Sequence, residues 1–146
     1  MISYLDTSAL AKYYHDEPGS TRMQQLISQE GRIVTSALTE LELTSFAERL
    51  KRERQIDSPA YHLVHRSIEK DIHSGKIGLV EIEAAILKNA LRLIRQRRLK
   101  VQDSIQLATA LAVHKRSDGS MDFVCSDRAL LEAARLEGLR VIDPTR

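Results

Sequence analysis

The sequence predicts an α/β protein with a central, mostly parallel sheet and helices on both of its faces. Three observations predict it. Short apolar runs of strand length recur along the chain, at residues 2–5, 32–35, 77–81, 121–125 and 139–142. Longer segments of helical character separate them, and strands joined through helices pair in parallel inside a sheet covered on both sides. No repeat, linker or low-complexity tract divides the 146 residues, a length that suits one domain over 1–146.

Each element has its own local reason. The run 2–5 ends in Asp6-Thr7-Ser8, a strand passing directly into a helix over 9–14. Glu17-Pro18-Gly19 interrupts it, Ser20 is placed to cap a helix reaching about Gln29, and Gly31 marks its stop. After the strand at 32–35, Ser36 opens a helix to about Gln55. Asp57-Ser58-Pro59 is a helix start, with a capping side chain before proline, and this helix ends at Gly75. The strand at 77–81 precedes an amphipathic helix over 82–98, in which Leu87, Leu91 and Ile94 form a stripe read first as core, with a dimer surface or a partner's groove as the alternatives. A helix over 103–115 carries Leu107, Ala108 and Leu111 at helical spacing. Asp118-Gly119 is a turn, 121–125 a strand, 127–137 a helix stopped by Gly138, and 139–142 a last strand.

Composition narrows the function classes. Apolar and charged fractions of 42% and 29% are those of a globular protein, and no stretch has the ~20 apolar residues of a membrane span. The N-terminal residues lack the basic flank and apolar run of a secretion signal, and the single cysteine, Cys125, suits a reducing cytoplasm. Net charge is only +2, but basic residues cluster at Arg49, Lys51, Arg52 and Arg54, and at Arg92, Arg95, Arg97, Arg98 and Lys100. Such clusters serve either as phosphate-binding patches or as solvated helix faces.

In open α/β sheets ligands bind outside the carboxyl ends of the strands. Asp6 and Asp127 immediately follow strands there, although an aspartate at such a junction also serves as a helix N-cap. Asp103 leads into the apolar stripe of its helix, where an acid is costly unless it is paired or bound to metal, with capping again the alternative. Between two glutamates, Glu42 has Leu38 and Phe46 as its four-apart neighbours, whereas Glu40 has Ser36 and Thr44 and reads as a surface charge. Two carboxylates ~4 Å apart repel by about 4 kcal/mol at an effective dielectric near 20, so such a cluster takes up protons or recruits a cation. All-oxygen ligands select Mg²⁺ or Mn²⁺. Zinc is disfavoured, because His15, His62, His65, His73 and His114 are scattered.

The motifs carry a family resemblance over essentially the whole chain. Residues 3–10, SYLDTSAL, resemble the opening of PIN-domain ribonucleases, and the continuation is similar to VapC-type toxins of toxin–antitoxin pairs. Residues 35–42, TSALTELE, resemble the second motif, whose acid falls on Glu42; residues 103–110, DSIQLATA, the third; residues 123–131, FVCSDRALL, the fourth; and residues 138–144, GLRVIDP, the usual ending. Where the family often has threonine two positions before the fourth acid, this chain has Cys125, a weak hydrogen-bond donor. Ser126 is a candidate substitute.

The resemblance implies a three-layer α/β/α sandwich, usually dimeric, and a metal-dependent endoribonuclease. Asp6 and Asp103 would be the main metal ligands, Glu42 would orient or deprotonate the attacking water, and Asp127 would serve a second cation or the outer shell. It also implies an RNA substrate and a small antitoxin partner. Tyr13 and Tyr14 lie near Asp6 in sequence and read first as core residues. A phosphatase or phosphoacceptor with Asp6 as nucleophile lacks its second aspartate, since Ser8 stands at that place. The reading from a different class is a non-catalytic PIN-like module binding RNA or protein.

Overall fold

The computed structural model describes residues 1–29 and 31–146. The chain runs β1 (Ile2–Leu5), α1 (Thr7–Tyr14), α2 (Ser20–Ser28), β2 (Arg32–Ser36), α3 (Ala37–Arg52), α4 (Ser58–His73), β3 (Ile77–Val80), α5 (Ala84–Arg97), α6 (Val101–Arg116), β4 (Met121–Val124), α7 (Arg128–Leu136) and β5 (Arg140–Ile142). The five strands form one sheet in the order β3-β2-β1-β4-β5, parallel throughout. β1 is therefore central, with Tyr4 opposite Val34 on one side and Phe123 on the other.

Strand alternation divides the interior in two, since successive side chains point to opposite faces. Tyr4, Val34 and Phe123 face α5, α6 and α7, packing with Leu93, Leu107 and Leu130. Leu5, Ile33 and Val124 face α1 to α4, packing with Leu10, Met23, Leu43 and Ile68. Tyr4 and Phe123 stack with ring centres 5.7 Å apart. Tyr13 and Tyr14 pack against the second core as expected, and the Tyr14 hydroxyl donates to Asp71.

Several element starts follow the local chemistry read from the sequence. Ser36 caps α3 by accepting from the Leu38 N–H, and Asp57 caps α4 by accepting from the Ala60 N–H ahead of Pro59. Two expectations differ. Ser20 is the first residue of α2 and not its cap; its hydroxyl accepts from the Glu17 N–H and donates to the His15 carbonyl, closing the turn that enters the helix. Leu87 and Leu91 are exposed at 47% and 58%, because α5 presents Ile86, Ala90 and Leu93 to the core instead. The apolar face of that helix is broader than the strip it buries, so spacing alone does not select the buried side. No helix among the described residues is long and apolar enough to cross a membrane.

Candidate active site

The carboxyl ends of β1, β2 and β4 open onto a cleft of about 630 Å³. Asp6, Glu42, Asp103 and Asp127 all line it, with Lys12, Phe46, Arg49, Gln102 and Ser126. The acids come in pairs from the two layers: Asp6 before α1 and Glu42 on α3, Asp103 on α6 and Asp127 before α7.

Asp6 is both a cap and a cleft residue. Its Oδ1 accepts from the Ala9 N–H at 3.0 Å, and the Ser8 hydroxyl donates to the carboxylate at 2.8 Å. Only 4% exposed, Asp6 is pushed up to about 6 by burial, an effect these hydrogen bonds oppose without cancelling. Asp127 caps α7, accepting from the Leu130 N–H at 2.9 Å, but is exposed. Asp103 sits in the first turn of α6 and caps nothing; Lys100 is the N-cap residue. Burial first, then the charges of Asp127 and Glu42, hold Asp103 above the ordinary carboxylate range. Glu42 is half-buried and accepts from the Thr7 hydroxyl at 2.8 Å and from Gln106 Nε2 at 2.9 Å, while Glu40 is exposed as expected.

Among the described residues, none of these four acids takes part in an ion pair. The cleft thus concentrates carboxylates that are not tied up in ion pairs, the donor chemistry that suits a hard divalent cation. No group of three or more His, Cys, Asp or Glu side chains among the described residues is placed to hold one ion by itself. Mg²⁺, where it binds, keeps several waters and takes only one or two protein carboxylates. The arrangement does not fit an all-protein cage such as a structural zinc site.

Cys125 is fully buried; its sulfur accepts from the Asp127 N–H at 3.2 Å, and burial raises its thiol far above the ordinary range. It does not line the cleft, whereas Ser126 does. Ser8 is the hydroxyl that joins the two junctions, donating to Asp6 and accepting from the Ser126 N–H at 3.1 Å. The basic clusters separate by role. Arg49 lines the cleft, with its guanidinium 5.5 Å from the Phe46 ring centre, while Arg92 and Arg97 are both bonded to Glu137. Sequence reasoning missed Ser8, Thr7 and Gln106 as site residues; the available signal was a glutamine inside the apolar stripe of its helix, three residues after Asp103.

Four acids gathered on one cleft at the carboxyl edge of a parallel sheet, with Lys12 and Arg49 on its walls, are the feature that marks this α/β protein. The model of the PIN domain matches residues 3–136, and the chain belongs to that family, whose members are in general nucleases. Among solved structures it is similar to VapBC-1 from nontypeable Haemophilus influenzae, at 18% identity and TM-score 0.65 with 100% of both chains covered. FitAcB from Neisseria gonorrhoeae aligns at 19% identity and TM-score 0.67, covering 99% of this chain and 98% of that one. PAE2754 from Pyrobaculum aerophilum aligns at 21% identity and TM-score 0.66, covering 99% and 92%. These likenesses establish the fold. No curated protein matches the sequence.

Proposed function

We propose that this chain is a divalent-metal-dependent endoribonuclease and the toxin of a toxin–antitoxin pair. The observation that carries the nuclease reading is the set of four acids on one cleft without an ion-pair partner among the described residues. Asp6 and Asp103 would hold Mg²⁺ or Mn²⁺, directly or through water, with Asp127 in the outer shell or serving a second ion. When bound, such a cation lowers the pKa of water and offsets negative charge on the phosphoryl oxygens. Glu42 orients the attacking water and takes its proton as the new P–O bond forms and the RNA P–O bond breaks. Asp6 keeps a fixed carboxylate direction through Ser8 and the Ala9 N–H. Arg49 at the cleft wall binds the phosphate backbone, the sequence-independent part of RNA affinity.

The toxin role is supported by the kinds of assembly its structural neighbours form, among them a toxin–antitoxin complex from Klebsiella pneumoniae with TM-score 0.62. A small antitoxin is the proposed partner. A cytoplasmic homodimer of single-domain chains is the proposed working form; Leu87 and Leu91, exposed on α5, offer such a dimer apolar surface.

The deciding experiment is cleavage of labelled RNA with Mg²⁺ or Mn²⁺ by the parent and by Asp6→Ala. Cleavage by the parent that disappears in the variant is expected. Equal cleavage by both would remove this mechanism, and RNA binding without cleavage by the parent would make the chain a non-catalytic binding module. The toxin role predicts growth arrest on expression, relieved by co-expressing the product of an adjacent short reading frame.

A further inference from the structure

Gln106 is a carboxamide in an apolar setting, 2% exposed and lying between Ile105 and Leu107 on α6. Four side chains surround it. The Tyr4 hydroxyl donates to its Oε1 at 2.7 Å, while its Nε2 lies 2.9 Å from Glu42 Oε1, 2.9 Å from Thr39 Oγ1 and 3.1 Å from Thr7 Oγ1.

The direction of each proton follows from the far end of this network, because a hydroxyl has one proton to give and a carbonyl none. Thr35 Oγ1 lies 2.6 Å from the Leu5 carbonyl oxygen, so its proton is committed there. Thr39 Oγ1, 2.6 Å from Thr35 Oγ1, must then donate to Thr35, which leaves it an acceptor toward Gln106. The Thr7 hydroxyl gives its proton to the Glu42 carboxylate and likewise accepts from Gln106. Every group on that side of the amide can only accept, so the NH₂ faces them. A flipped amide would set its carbonyl oxygen against a carboxylate and two hydroxyl oxygens with no proton to offer. The network has a single order, and it begins at Leu5, the residue before Asp6.

We propose that Gln106 is a positioning residue for Glu42 in RNA hydrolysis, a role that rests on the nuclease reading above. Its amide N–H and the Thr7 hydroxyl hold Glu42 Oε1, and Oε2, which has no hydrogen bond among the described residues, is the oxygen that acts on the attacking water. A neutral donor suits this place. Lysine or arginine there would pair with Glu42 and cancel the negative charge that the cation requires, whereas an amide fixes direction and leaves the charge intact.

The test is a double-mutant cycle of Gln106→Met and Glu42→Ala, read as the steady-state cleavage rate at saturating RNA. Gln106→Met is expected to slow cleavage about 10- to 100-fold, as loss of a partner orienting an active-site ligand does, with the RNA KM unchanged. In the Glu42→Ala background it adds nothing further. Multiplying effects, or an unaltered single-variant rate, overturn the proposal. Thr7→Val, at a half-exposed position, removes the other donor and serves if Gln106→Met does not fold; it too must lose its effect in the Glu42→Ala background. A second readout needs no activity. The side-chain amide protons of Gln106, observed by ¹⁵N-edited NMR, exchange slowly in the parent and shift on Glu42→Ala, while those of exposed Gln55 do not; unmoved Gln106 signals refute the tie. A parent that cleaves no RNA overturns the nuclease reading and with it the catalytic part of the proposal, while the amide signals still decide whether Gln106 holds Glu42.

Discussion

Asp6 and Asp127 end neighbouring parallel strands, and each caps the helix that follows through an N–H three residues on. Their surroundings are opposite. Asp6 follows the central strand, is 4% exposed and gains protons easily, whereas Asp127 is open to solvent. The difference teaches that capping and cleft chemistry are not competing roles. A cap fixes a carboxylate by one oxygen, and position in the sheet decides how strongly its charge is felt. At the edge of the cleft the charge is hydrated; behind the middle strand it has to be answered by a proton or a cation.

The largest effect that sharpens this contrast is expected from Asp6→Asn. Asparagine keeps the cap, but RNA cleavage should fall about 100-fold or more, since a cation's stabilisation of developing charge is worth several kcal/mol. The same change should stabilise the metal-free protein by about 2–3 kcal/mol at pH 7.5, the cost of ionising a group raised to about 6. The sign follows from linkage. With its folded-state pKa raised, Asp6 contributes stability that is whole below about pH 4 and is lost as pH rises through about 6. Urea unfolding in chelator should show the parent weakening across that window and the asparagine variant lacking this loss; parallel curves would contradict the buried-charge account.

Mg²⁺ or Mn²⁺ at about 100 times its dissociation constant should then stabilise the parent by about 2.7 kcal/mol. The asparagine variant should gain clearly less in the same melts, and equal gains would exclude Asp6 as a ligand. At the exposed junction, Asp127→Ala should cost about 1 kcal/mol of stability through loss of the cap and slow cleavage about 10-fold. Asp127→Ser should restore stability but not rate, and recovery of both would reduce Asp127 to a cap. Glu40→Ala, on the solvent side of α3, should change stability by less than about 0.5 kcal/mol and leave cleavage unaltered. A loss of cleavage there would reverse the choice of Glu42.

Much of this was legible in the residues. Strand ends read at Leu5 and Cys125 placed Asp6 and Asp127 at one sheet edge, and neighbours four apart separated Glu42 from Glu40. Strand order was not legible, because crossover helices fit more than one arrangement of parallel strands. The side chains that hold the acids were also hidden. Tyr4 and Gln106 are 102 positions apart, and no local pattern indicates that one donates to the other. Leu87 and Leu91 misled for a related reason: periodicity finds an apolar face, but only packing shows which part of it is covered.

The pairing of acids across the sheet has a further consequence. Since Asp6 and Glu42 belong to one layer and Asp103 and Asp127 to the other, neither half of the chain possesses the complete set of charges. Split between α4 and β3, the two fragments would each be inert, and nuclease activity would return only on their reassembly, making it a direct reporter of whether the layers have closed on each other.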